Sequence, residues 1–282
     1  MTTEPFALPG EPPPAATVRS LLASVTTPGS VWVIDLDGVI WLSGEPIGDA
    51  AGAVARLRHA GVTTAFATNN SAPTTRDQVD RLGRVGITAS ANDLASSAEA
   101  AASLLAPGDT AFVMAEAGVL EALAARGVKV RDDGPVDAVV VGWTRSFDFD
   151  LLTRAATAAR DSGRLIGTNE DPTHPTPDGL VPGGGSILAA VATASGITPR
   201  IAGKPHRPMA DHIREKFGIG SGGRAALAVG DQPRTDGRLA EQLGIPFALV
   251  DSGVTRPGTP VTGVTVSVRT ADFVALVDTA LA

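Results

Sequence analysis

Asp35 and Asp37, two residues apart, end the apolar run Val31-Trp32-Val33-Ile34 and stand directly before Gly38. In an extended chain, side chains alternate, so positions 35 and 37 project to one side. Two carboxylates that close repel, and each tends to raise the other's pKa. Such a pair is tolerated mainly where a cation or a proton-transfer task compensates. Further polar groups follow other apolar runs: Thr68-Asn69 after 62–67, Lys204 between Gly203 and Pro205, and Asp231 after 225–229, with Asp236 five residues on. Together they suit attack on a phosphate monoester, whose negative oxygens repel a nucleophile. A divalent metal and a lysine would neutralise that charge, and a hydroxyl with backbone amides would orient the oxygens. One carboxylate can then attack phosphorus, and the second can protonate the leaving alkoxide and later deprotonate water.

Groups so far apart in sequence need a scaffold that gathers strand ends. Strand and helix signals alternate along the chain, which predicts parallel βα units. The expected strands lie at 31–35, 62–67, 111–114, 136–141, 165–167, 225–229 and 246–250. The expected helices include one begun by a capping box at Thr75-x-x-Gln78, one over 94–105 and one over 235–243. A doubly wound, Rossmann-like parallel sheet brings its strand ends to one crevice. Residues 82–184 lack comparable polar groups at their strand ends. They read as an inserted α/β cap domain over a core made of 21–81 and 185–282. Residues 1–20, with prolines at 5, 9, 12, 13 and 14, read as a flexible or extended arm. The loop 168–186 is dense in Pro, Gly, Asp and Thr, and Gly183-Gly184-Gly185 reads as a hinge returning the insertion to the core. Asn169, Asp171, Thr173 and His174 either contact a substrate or hold this loop in its turns, and the residues leave both readings open.

Composition narrows the chemistry. There is no cysteine, which excludes disulfides and thiolate metal sites, and the four histidines have no zinc-ligand spacing. A metal would therefore be a hard cation on carboxylate oxygens. A net charge of −7, without any basic stripe, argues against nucleic acid as the partner. No apolar run approaches membrane-spanning length, and no signal peptide is evident, so a cytoplasmic enzyme is expected.

Asp35-x-Asp37-Gly38-Val39, Thr68-Asn69-Asn70, Gly203-Lys204-Pro205 and Gly230-Asp231-x-x-x-Thr235-Asp236 resemble, in order, the four motifs of the haloacid dehalogenase superfamily of phosphatases. The Thr-Asn-Asn form, the large insertion, and Asn169-x-Asp171-Pro172-Thr173 leading to Leu180-Val181-Pro182-Gly183-x-Gly185-Ser186 resemble its NagD-like, p-nitrophenyl phosphatase branch. The stretch is particularly similar to glycerol 3-phosphate and phosphoglycolate phosphatases. The resemblance implies Asp35 as nucleophile and magnesium ligand, and Asp37 as general acid/base with its backbone carbonyl on the metal. It implies Thr68, the Asn69 amide and Lys204 as phosphoryl-binding groups. Asp231 would be the third protein ligand of Mg2+, and Asp236 would support it from behind. Gln232 and Gly237 depart from the usual pattern beside the metal loop, which implies altered packing rather than lost chemistry. The expected partner is a small phosphorylated metabolite. Sugar phosphates, nucleoside monophosphates and pyridoxal phosphate are the alternative substrates. Cap-mediated dimers are common in that branch, so a homodimer is the expected assembly. A phospho-accepting regulatory domain is a further reading, against which the insertion and Asp37 argue. A non-catalytic binder of phosphorylated ligands is another, and the intact motif set argues against it.

Overall fold

The computed structural model describes residues 15–42, 44–176, 179–220 and 224–282. The strand-forming runs divide into two parallel sheets. The larger has six strands in the order Val268–Thr270, Phe247–Val250, Ala226–Gly230, Val31–Asp35, Thr63–Thr68 and Leu94–Ser96, each parallel to its neighbour. Val31–Asp35 is central and buried at every position, as a strand covered on both faces must be. Its alternation is visible in the core: Val31 and Val33 enter one apolar cluster, Trp32 and Ile34 the other. The chain moves from this strand to Thr63–Thr68 on one side and reaches Ala226–Gly230 on the other only much later. The C-terminal end of the central strand is therefore a topological switch point.

The second sheet has the order Arg200–Ile201, Leu165–Gly167, Ala138–Val141, Thr110–Met114 and Lys129–Val130, again parallel throughout. Phe112, Met114, Val139, Val141 and Leu165 pack on one face against Ile187, Leu188 and Val191 of helix Gly184–Ser195. Ala111, Ala138, Val140 and Ile166, on the other face, join the cluster that holds Val31, Val33 and Ala65. The short helix Ser97–Ala102 joins the two parts: all its residues but Glu99 are buried, and it touches both Ala117–Ala125 and Arg207–Phe217. Two antiparallel hairpins stand apart from the sheets, Trp41–Leu42 with Glu45–Pro46 and Thr173–Thr176 with Gly179–Pro182.

Several expectations are corrected. Residues 15–20 belong to helix Ala15–Val25, which buries Leu22 and Val25; residues 1–14 of the expected arm lie outside the described residues. Leu94–Ser96 is a strand of the larger sheet, so that sheet continues past residue 82, and the helix expected from Leu94 begins at Ser97. Leu94 is buried beside Phe66, which a strand in register with Thr63–Thr68 achieves. At the other boundary, helix Gly184–Ser195 and strand Arg200–Ile201 pack on the second sheet, so the inserted unit runs past 184. The glycine run is accordingly no hinge between sheets. A Cβ on Gly183 would lie 2.2 Å from the Asp171 carbonyl oxygen, and one on Gly185 2.3 Å from Glu170, so these glycines admit a close approach of loop to helix. The capping box also shifts by one residue. Thr74 and Asp77 cap helix Thr75–Arg84 reciprocally, and Gln78 turns inward and is buried.

Candidate active site

Asp35 and Thr68 end adjacent strands, and Asp231 follows Ala226–Gly230 on the other side of the central strand. The register pairs Ile34 with Val229 and Asp35 with Ala67, so all three side chains emerge at one edge. Gly38, at φ +84°, and Gly253 let two backbone segments pass against Asp231. A Cβ would meet its carboxylate at 2.4 Å from Gly38 and 1.9 Å from Gly253. Only glycine leaves that carboxylate room.

Lys204 is 4% exposed. Its Nζ donates to Asp35 Oδ1 at 2.7 Å, to Asp236 Oδ1 at 2.7 Å and to the Ala67 carbonyl at 3.3 Å, which uses all three ammonium protons. Asp35, Asp231 and Asp236 each present an oxygen within 4.8 Å of the others. Asp236 Oδ2 accepts from the Gln232 amide at 3.1 Å, so both its oxygens are engaged, which suits a supporting part. Asp231 differs. One of its oxygens accepts from Val254 N, while Oδ1 is buried with no hydrogen-bond partner among the described residues. An orphaned buried carboxylate oxygen is costly unless a cation takes it.

The charge balance points the same way. With all three buried carboxylates ionised, one ammonium leaves two negative charges, which one divalent cation on oxygen ligands would balance. Burial lifts Asp35 well above the ordinary carboxylate range, and Asp236 and Asp231 add to this against the pull of Lys204. Burial, helped by Asp236, pushes Asp231 up to about 7. For Lys204, burial disfavours the charge, but Asp236 and then Asp35 outweigh it, so its pKa is raised and the ammonium persists. These side chains fit a hard divalent cation held by Asp35 and Asp231.

Asp37 lies outside that cluster. It is half-buried, and its Oδ1 accepts from the indole Nε1 of Trp41 at 3.0 Å. Thr68 Oγ1 accepts from the Asn70 amide at 3.0 Å, which leaves its own proton to donate. Asn69 is the hub of the loop. Its side chain accepts from Lys204 N at 2.7 Å and donates to the Lys204 carbonyl and to Asp171 Oδ2, both at 3.1 Å. Its carbonyl accepts from Ser97 Oγ at 2.8 Å and Asn169 Nδ2 at 2.9 Å.

Of the four loop residues singled out from sequence, two join this network. Asn169 holds the Asn69 carbonyl and the Asp171 amide. Asp171 is raised by burial despite its bond from Asn69. Thr173 and His174 lie in the hairpin instead, and the His174 ring sits 5.5 Å from that of Trp143. Trp143 donates to the Pro182 carbonyl at 3.0 Å, and the Arg145 guanidinium lies 5.7 Å from its ring centroid. Sequence reading passed over Trp41, Ser97 and the Glu170–His206 contact at 2.9 Å. Trp41 alone gave a usable signal, a donor four residues after Asp37.

This geometry agrees with the comparisons. Residues 32–129 match the haloacid dehalogenase-like hydrolase family, and 201–275 match a second model described as HAD-hydrolase-like. The chain is 37% identical over 229 residues to D-glycerol 3-phosphate phosphatase of Mycobacterium tuberculosis, covering 79% of this chain and 63% of that protein. It is 32% identical over 228 residues to acid sugar phosphatase of Staphylococcus saprophyticus, covering 79% of this chain and 87% of that one. A crystal structure of glycerol phosphate phosphatase from M. tuberculosis in complex with magnesium superposes with a TM-score of 0.78 at 31% identity, covering 90% of this chain and 78% of that chain. The chain belongs to the haloacid dehalogenase-like hydrolase family. It spans just under two thirds of the length of the mycobacterial relative. Among the described residues, no helix is long and apolar enough to cross a membrane.

Proposed function

We propose that this protein is a magnesium-dependent phosphatase of small phosphate monoesters, with glycerol 3-phosphate or phosphoglycolate as the favoured substrates. The observation that carries the reading is the buried cluster in which Lys204 bridges Asp35 and Asp236 while Asp231 keeps an unpartnered oxygen. Relatives named as a glycerol 3-phosphate phosphatase and as an acid sugar phosphatase support it. The partner is then a small phosphorylated metabolite, met in the cytoplasm.

Asp35 and Asp231 would hold magnesium, which would supply positive charge against the phosphoryl oxygens. Thr68 Oγ1 and the Asn69 amide orient those oxygens, and the Lys204 ammonium keeps Asp35 aimed and favours its charged form against burial. Asp35 forms a bond to phosphorus as the ester P–O bond breaks, and Asp37 gives its proton to the departing alkoxide. Asp37 then takes a proton from the water that cleaves the aspartyl phosphate, which returns phosphate and free Asp35. The second sheet acts as a cap over the strand ends, with Asp171 and Asn169 fastening its loop to the phosphate-binding loop. We assign Thr173 and His174, in the adjoining hairpin, to selection of the leaving group.

Phosphate release from glycerol 3-phosphate, phosphoglycolate and p-nitrophenyl phosphate, with and without magnesium, tests the reading. Turnover that needs magnesium and disappears in Asp35→Asn supports it; unchanged turnover in that variant overturns the mechanism. A sugar phosphate is the second reading for the substrate, favoured by the 32% identity to an acid sugar phosphatase. Comparing kcat/KM across these esters decides between them.

A further inference from the structure

We propose that Trp41 is the positioning residue for proton transfer by Asp37, holding one carboxylate oxygen so that the other faces the leaving group. This rests on the reading of Asp37 as the general acid/base. Trp41 is 1% exposed, so its indole N–H needs a buried partner, and it finds Asp37 Oδ1 at 3.0 Å. An indole N–H only donates. The oxygen it engages must therefore act as acceptor, which leaves Oδ2 free of the indole. The segment that carries the indole is itself held. Trp41 N donates to Leu36 O at 3.2 Å and Gly38 N to Trp41 O at 2.7 Å, so Asp37 and its donor share one closed turn. The Arg81 guanidinium lies 5.1 Å from the indole ring centroid. Arg81 comes from helix Thr75–Arg84, which leads directly out of the phosphate-binding loop. One stack thus runs from that helix through the indole to the acid, and it ties the carboxylate to the segment that follows Thr68 and Asn69. Such alignment matters because general acid catalysis requires hydrogen-bond reach to the departing oxygen.

Leaving-group dependence is the test, because a glycerol alkoxide needs a proton to depart and p-nitrophenolate does not. In Trp41→Phe the ring remains and the donor goes. Turnover of glycerol 3-phosphate should fall by roughly 10- to 100-fold, while that of p-nitrophenyl phosphate should fall less than about threefold and KM for both should hold. Asp37→Asn, run alongside, should give the same split more steeply. Benzothienylalanine at position 41, which keeps the indole shape without its N–H, repeats the measurement should the phenylalanine variant fold poorly. An equal loss on both esters, or no loss, in a folded variant overturns the positioning role while leaving Asp37 as the acid. An Asp37→Asn enzyme with no split removes the acid/base reading, and this inference with it.

Discussion

The two sheets of this molecule are built alike and do opposite work. Both are parallel, both are covered by helices, and both have a central strand buried along its whole length, Val31–Asp35 in one and Ala138–Val141 in the other. Among the described residues, every buried charged side chain belongs to the larger sheet's site: Asp35, Lys204, Asp231 and Asp236. The strands of the smaller sheet end on Met114, Val130, Val141, Gly167 and Ile201, none of which ionises, and its one contribution to that charged cluster is Lys204, three residues after Ile201. An α/β sheet alone is thus no sign of chemistry. What differs is whether the strand ends enclose charges that only each other, or a cation, can satisfy.

The sharpest way to break the comparison is to neutralise the larger sheet's charges. Asp35→Asn should lower phosphate release by at least about 10³-fold without changing the far-ultraviolet circular dichroism. Lys204→Ala leaves Asp35 and Asp236 buried without their cation and should cost about 3–5 kcal/mol in urea unfolding. Magnesium should restore part of that loss.

Glu99, at the junction of the two parts, gives a smaller effect with a defined pH window. Burial would raise its pKa, but His212 and Lys216 overcome that and hold it down to about 2 from an ordinary 4.5. Because the folded value is depressed, the stabilisation is complete above about 4.5 and fades as pH falls through 2. Glu99→Gln should therefore cost at most about 3 kcal/mol near neutral pH and almost nothing at pH 2, as read by thermal unfolding.

Asp231 has the opposite sign. Its folded pKa is raised from 3.8 to about 7, so the metal-free protein loses stability as pH rises through that interval. The gain in melting temperature on adding magnesium should be larger at pH 8 than at pH 5.5. The smallest change is expected in the second unit. His174→Ala should alter KM between glycerol 3-phosphate and a sugar phosphate by about tenfold or less and leave the unfolding midpoint almost unmoved.

The legibility of the sequence follows the same division. Asp35, Thr68 and Asp231 could be found because each ends or follows a short apolar strand, Lys204 because it stands between Gly203 and Pro205, and their order carries the family resemblance. Leu94–Ser96 misled because alanine-rich sequence on both sides of Ser97 carries helical signal, and only pairing with Phe66–Thr68 makes the first three residues a strand. The inserted unit's far boundary was misplaced because three glycines look like a hinge, although they serve close packing on Glu170 and Asp171. The hydrogen bond from Trp41 to Asp37 was out of reach for periodicity, since it depends on how one hairpin folds back.

Asn69 bonds to residues 100, 102 and 135 positions away in the chain. The link to Lys204 can form only after the whole insertion has been made, and closing such long loops is slow. Competence is therefore a late event in the life of this chain. In refolding, the burial of Trp32 and Phe66 in the larger sheet should precede recovery of turnover, and a released chain truncated just before Lys204 would hold every strand of the second sheet and no working site.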